Sequence, residues 1–187
     1  MGKRPTIARS DLDGYRALLL ASARQTQTVI AKLATTEDPI TFLAKLKFER
    51  TGCDPLDGNT PLNLIEQLNQ AFTYLASFEG AALLFSRHEE VHSLRLNLGT
   101  SPGFDIESED AGGIAAEVFS AVTPKNNRKL AKDIQKVSKS PARHRYALFM
   151  SPEHPQAGPH SMKSGSHEVC VWSLGYPPIL QDVRFPC

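Results

Sequence analysis

Apolar residues recur at helical spacing through the first half of the chain and turn to strict alternation in the second. Ser10 is a candidate N-cap, with Asp11 and Asp13 in the first turn and Leu18, Leu19, Val29, Ile30 and Leu33 along one side, so a helix is expected to about Ala34. Asp38-Pro39 is a second start signal, because proline suits the first helical position, and Ile40, Phe42, Leu43 and Leu46 follow. Residues 51–61, TGCDPLDGNTP, are dense in turn formers and read as a loop. Thr60-Pro61 then opens a long third helix whose Leu68, Phe72, Leu75 and Leu83 are expected in the core. A polar ridge of Glu66, Asn69, Gln70 and Thr73 runs beside that stripe.

From residue 91 the period becomes two. Leu94, Leu96 and Leu98 alternate with Ser93, Arg95 and Asn97, the pattern of a half-buried strand. Residues 104–108 resume extended structure, and residues 114–122 are apolar except for Glu117 and Ser120, as in a covered strand. A hairpin turning at residues 109–113 pairs Ser108 with Ile114, which sets Asp105 opposite Glu117 with Cβ atoms roughly 5 Å apart on one face. Two carboxylates so placed gain most from a shared divalent cation, and oxygen ligands suit Mg²⁺. A buried Glu117 needs a partner in any case. Asn126 or Asn127 is expected to cap the next helix, with Leu130, Ile134 and Val137 as its seam and Ser140-Pro141 as its end. Residues 145–150 and 168–174 read as two further strands, residues 151–167 as a polar loop and residues 175–187 as a surface tail. The order predicts an α/β fold: a mixed central sheet flanked by helices, with a crossover helix leading to a parallel strand. One domain is expected, with a helical part at 1–60, a core at 61–175 and the tail.

Composition adds two points. Of 187 residues, 41% are hydrophobic and 22% charged, within the range of ordinary globular chains, and no apolar run reaches the 18 or so residues of a membrane span. No secretory leader is read, and the three scattered cysteines point to a reducing, cytoplasmic setting. Charge, by contrast, is unevenly spread. Residues 125–145 hold eight Lys/Arg against Asp133 alone, a local +7 in a chain of net charge +1. A basic stripe (Lys125, Arg128, Lys129, Lys132, Lys136, Lys139, Arg143, Arg145) beside paired carboxylates is the footprint of a nucleic-acid enzyme or, more plainly, a solvated helix face.

The element order, with GFDI, AAEVF and NNRKLAKDIQKV in their places, resembles the PD-(D/E)XK nuclease superfamily, whose restriction-endonuclease-like core is αβββαβ. Asp105 matches the family's first acid, Glu117 its second and Glu66 its helical glutamate. The resemblance implies a restriction-type DNA endonuclease that hydrolyses phosphodiesters with Mg²⁺, or Mn²⁺ in its place, on Asp105, Glu117 and Glu66. DNA is the implied partner, homodimerisation is compatible, and no membrane is involved. Arg128, Lys132, Lys136 and Lys139 are the implied phosphate contacts. The sequence departs from the family at the lysine two residues after the second acid, where Phe119 stands. Lys125, then Lys129, are the expected substitutes as catalytic cations. Glu107 is a reserve ligand.

Two other functions stay open: a catalytically inactive nuclease fold that binds DNA or regulates, and a protein-interaction module. His154, His160, His167 and Cys170 match no compact zinc pattern, and Cys53 has no nearby base in sequence to make it a nucleophile.

Overall fold

The computed structural model describes residues 4–99, 101–125, 128–160 and 169–176. Among these, the helices are α1 (Leu12–Thr36), α2 (Pro39–Phe48), α3 (Leu64–Arg87) and α4 (Lys129–Ser138). The strands are β1 (Thr6–Ile7), β2 (Gly52–Asp54), β3 (Asp57–Leu62), β4 (Leu94–Leu96), β5 (Ile106–Ser108), β6 (Ile114–Ser120), β7 (His144–Met150), β8 (Ala157–Pro159) and β9 (Cys170–Leu174). The chain divides into two compact units: Ser10–Leu75, and the residues before and after it.

The larger unit is built on a seven-stranded mixed sheet in the order β1-β4-β5-β6-β7-β9-β8. β4, β5 and β6 run antiparallel in turn, while β6, β7 and β9 are parallel. The central strand β6 is buried from Ile114 to Phe119, which is why it carries small and apolar residues on both faces. Its two faces meet different helices. Gly80 of α3 lies so close to the sheet that a Cβ there would stand 3.1 Å from Leu148, 3.2 Å from Ile106 and 3.4 Å from Val118. On the other face Phe119, Ala147, Phe149 and Val171 pack against Leu130, Ile134 and Val137 of α4. The fold is therefore α/β with a mixed sheet, as the alternation predicted.

The hairpin between β5 and β6 keeps the predicted register, with Ser108 opposite Ile114 and Ile106 opposite Ala116. Its turn is a 3₁₀ segment, Asp110–Gly112, followed by Gly113 at φ 94°. Gly112 has φ 80°, so two consecutive left-handed residues close the turn. The expected strand at residues 91–98 is shorter, β4 alone, but Leu94, Leu96 and Leu98 are all buried as the alternation required. The polar loop after β7 contains the short edge strand β8.

The unit Ser10–Leu75 holds α1, α2, the hairpin β2–β3 and the first turns of α3. Asp38 caps α2 by accepting from the amides of Ile40 and Thr41, each at 3.1 Å. Four expectations change here. Residues 51–61 form a hairpin rather than a loop, because Asp54 Oδ1 accepts from the amides of Leu56 (2.9 Å) and Asp57 (3.1 Å) and so ties the turn. Pro61 pairs with Cys53 in that hairpin, and α3 starts later, at Leu64. Leu68 is 45% exposed, and Gln67 takes the inward place, accepting from Thr26 Oγ1 (2.7 Å) and donating to Ser22 (2.9 Å). The α1 start also moves: Ser10 lies in a 3₁₀ turn, Arg9–Asp11, ahead of the helix, and Asp11 occupies its cap position. The expected caps Asn126 and Asn127 lie outside the described residues.

Candidate functional site

Asp105 sits one residue before β5. Its carbonyl accepts from Asn97 N at 2.8 Å and its Oδ2 accepts from Val118 N at 2.8 Å, so both neighbours of its strand position hold it. Continuing the ladder from Ile106–Ala116 sets it opposite Glu117, the arrangement read from sequence. Glu117 is 3% exposed.

Helix α4 closes the other side. Its buried seam is Leu130, Ile134 and Val137, and Lys129, Asp133 and Lys136 form the next stripe at i, i+4 and i+7. That offset of one position turns all three toward the sheet. Lys136 Nζ stands 2.6 Å from Glu117 Oε1, donates to the Gly103 carbonyl at 2.8 Å and lies 5.5 Å from the Phe104 ring centre. Lys129 Nζ donates to Asp133 Oδ1 at 2.6 Å and lies 5.6 Å from the Phe119 ring centre. Each ammonium is thus set between a carboxylate and an aromatic face, a placement that attracts a partly desolvated cation.

Three carboxylates and two ammoniums share this pocket. Burial is the main force on each acid and pushes it up. Glu117 rises to about 7, burial being reinforced by the Asp105 charge and opposed by Lys136. Asp105 is raised by burial against the Val118 amide, Lys129 and Lys136. Asp133 is raised by burial against Lys129, with Asp105 adding to the rise. Glu117 Oε1 and Asp133 Oδ2 are buried without a hydrogen-bond partner among the described residues, Lys136 meeting the former as an ion pair by distance. Each is a buried carboxylate oxygen left to an ion pair or to none, although the three acids do not bring their oxygens within 4.8 Å of one another as a ready metal cage would.

The other residues read from sequence lie as follows. Glu66 forms a capping box, accepting from Asn63 N at 3.1 Å while its own amide donates to Asn63 Oδ1 at 2.9 Å. Glu107 accepts from Arg95 and from Phe104 N at 2.9 Å. Burial alone would raise its pKa, but those donors outweigh it and hold the group below its ordinary value. Lys125 is exposed, and its charge acts on His160, whose pKa falls through burial, His154 and Lys125. The cations at the carboxylates are Lys136 and Lys129, because α4 returns across the strand face and the segment holding Lys125 does not. Arg128, Lys132 and Lys139 are exposed, with Arg128 at φ 54° before the helix. Lys136, expected among the outer phosphate contacts, is instead engaged at Glu117. Asp133 was not singled out by the sequence as a site residue, although its spacing from Lys129 and Lys136 would have placed it.

His154 and His160 pack ring to ring at 5.0 Å, both edge-on to Phe149. Cys170 pairs in register with Tyr146, so its side chain alternates to the face opposite Phe149, and His167 lies outside the described residues. An open cleft of about 730 Å³ adjoins Phe104 and carries Glu107, Glu109 and Asp110 against Arg95, so its walls do not favour a phosphate. Among the described residues no helix is long and apolar enough to cross a membrane. No protein-family model, no curated protein and no solved structure matches the chain.

Proposed function

We propose that the chain is a divalent-metal-dependent phosphodiester hydrolase acting on DNA, an endonuclease on the plan of the PD-(D/E)XK superfamily. The observation that carries this reading is the buried pair Asp105 and Glu117, opposed across the β5–β6 hairpin, with Lys136 Nζ at Glu117 Oε1. The order α3-β4-β5-β6-α4-β7 supports it, since it reads αβββαβ with an acid one residue before the second strand and another in the third.

Asp105 and Glu117 would hold Mg²⁺, the remaining positions going to substrate phosphate and water. Bound there, the ion would neutralise phosphate charge and acidify a water. Lys136 supplies the cation that Phe119 cannot. It reaches Glu117 from α4 and is placed to donate to a phosphate oxygen as negative charge develops. Lys129 holds Asp133 in position. Arg128, Lys132 and Lys139, exposed around the same helix, are placed for backbone phosphates.

One observation favours a second reading, an inactive nuclease fold that binds DNA. Glu117 is almost wholly buried and its charge is already met by Lys136, so the cluster can close on itself as a structural network.

Nicking of supercoiled plasmid in Mg²⁺ or Mn²⁺ decides between them. The nuclease reading expects chelator-sensitive nicking that Asp105→Asn and Glu117→Gln abolish. It also expects Lys136→Ala to slow nicking by about 10²–10³, while Lys125→Ala has little effect. DNA binding without nicking selects the inactive reading, and absence of both overturns the two together.

A further inference from the structure

A second group of chemistry-bearing side chains lies on the other face of the sheet. His88 follows directly on α3 and is 7% exposed. Its amide donates to Leu84 O at 2.9 Å and its carbonyl accepts from Val91 N at 3.1 Å, so the turn that carries it and Glu90 is tied at both ends. His144 opens β7, and its ring centre lies 4.2 Å from that of His88. Glu90 Oε1 stands 3.8 Å from His88 Nδ1. One ligand atom from each of His88, Glu90 and His144 falls within 4.8 Å of the others.

The far side of His88 is also fixed. Its Nε2 is 2.8 Å from the hydroxyl of Tyr146, a buried residue two positions beyond His144 and therefore on the same face of β7. The hydroxyl oxygen can accept from the imidazole N–H, which leaves Nδ1 as the free ring nitrogen. A histidine whose one nitrogen is held by a neighbour and whose other faces a carboxylate and a second imidazole has the outer-sphere support of a metal ligand.

We propose that His88 Nδ1, Glu90 and His144 form a binding site for a borderline divalent cation of the zinc class, separate from the carboxylate cluster. Two imidazoles and one carboxylate suit Zn²⁺ and its neighbours and do not suit Mg²⁺, which takes oxygen donors. Ligand atoms around tetrahedral Zn²⁺ lie about 3.3 Å apart, given bonds of about 2.0 Å. The present spread closes by rotation of Glu90, whose side chain is 58% exposed and free to turn. Three protein ligands leave a fourth position for water. The site joins the end of α3 to the start of β7, so occupancy would pin helix to sheet at that edge. Register separates it from the acids: His144 lies opposite Ile114 and Tyr146 opposite Ala116, while Glu117 lies opposite Ala147 and so points to the other face.

The test is a Co²⁺ titration of the full chain, stripped with chelator and held in millimolar Mg²⁺, followed by visible absorbance and displacement with Zn²⁺. The proposal expects one equivalent of Co²⁺, displaced by Zn²⁺. Affinity should fall at least tenfold in both Glu90→Gln and His144→Asn, fall 10–100-fold in Tyr146→Phe, and be unchanged in His154→Gln. Glu90→Gln alters an exposed side chain and leaves the core intact, so its result stands even if His144→Asn folds poorly. Parent-like affinity in Glu90→Gln, loss of the signal in His154→Gln, or no uptake of Co²⁺ or Zn²⁺ at tens of micromolar overturns the proposal.

Discussion

Glu117 shows how far one residue's chemistry could be read in advance. Its place in an otherwise apolar strand required a partner, and the hairpin count set a second acid, Asp105, opposite it, which sharpens that need. The count could not supply Lys136 or Asp133, because those depend on which way α4 is rotated against the strand. The seam at 130, 134 and 137 fixes that rotation, and residues 129, 133 and 136 follow it one position behind. The result is an acid whose pKa rises from 4.5 to about 7. A raised acid favours the fold while protonated, so its contribution is full below about 4.5 and is lost as pH climbs through about 7. Asp105 and Asp133 are raised as well and act in the same sense. In chelator, the parent should therefore lose stability between these pH values. Glu117→Gln should flatten that slope and be more stable than the parent at pH 8, since each tenfold difference in proton affinity between the folded and unfolded chain is worth about 1.4 kcal/mol. Denaturant melts at several pH values measure it. A Glu117→Gln variant with the parent's slope would mean that Glu117 stays charged in the fold, satisfied by Lys136.

At the scale of elements, the second half of the chain was more legible than the first. Alternation in β4 and the glycine pair of the turn fix strand faces and register together, since a slip of one residue in β6 would turn Glu117 to the face opposite Asp105. Residues 51–61 misled because Asp, Gly, Asn and Pro serve tight hairpins and open loops equally. Only the hydrogen bonds of Asp54 separate the two. The start of α3 misled for a related reason: Pro61 can open a helix but can also stand in a strand pair, and the capping box of Asn63 and Glu66 sets the boundary instead. This box gives Glu66 a role that needs no metal, and the two roles separate cleanly. Gln keeps the geometry of a capping box and removes the charge. Glu66→Gln should leave both thermal stability and Mg²⁺ affinity unchanged, while Glu66→Ala should cost about 1 kcal/mol. Weaker Mg²⁺ binding in Glu66→Gln, with an unchanged melt, would restore the ligand role read from the sequence.

For the whole molecule, the informative quantity is where charge is left over once internal pairs are removed. The chain is nearly neutral, and its local excess at residues 125–145 looked like one basic face. Lys129 and Lys136 are spent on Asp133 and Glu117, and Arg145 donates to Ser140 O at 3.0 Å. Lys125, Arg128, Lys132, Lys139 and Arg143 remain exposed. If that surface tracks DNA, binding releases counterions, and the logarithm of affinity should fall linearly with the logarithm of salt by about 0.9 for each phosphate neutralised. Five cations set an upper slope of about 4.5 per chain by the same rule. Lys132→Ala and Lys139→Ala should each reduce the slope by about 0.9 and weaken all duplex sequences alike. Lys136→Ala should lower the rate of any cleavage and leave the slope in place, because its charge is already committed inside the protein. Fluorescence anisotropy on a duplex between 25 and about 200 mM salt reads both quantities. A slope unmoved by Lys132→Ala and Lys139→Ala, or one lowered by Lys136→Ala as much as by either, would place the DNA elsewhere than on the outer face of α4.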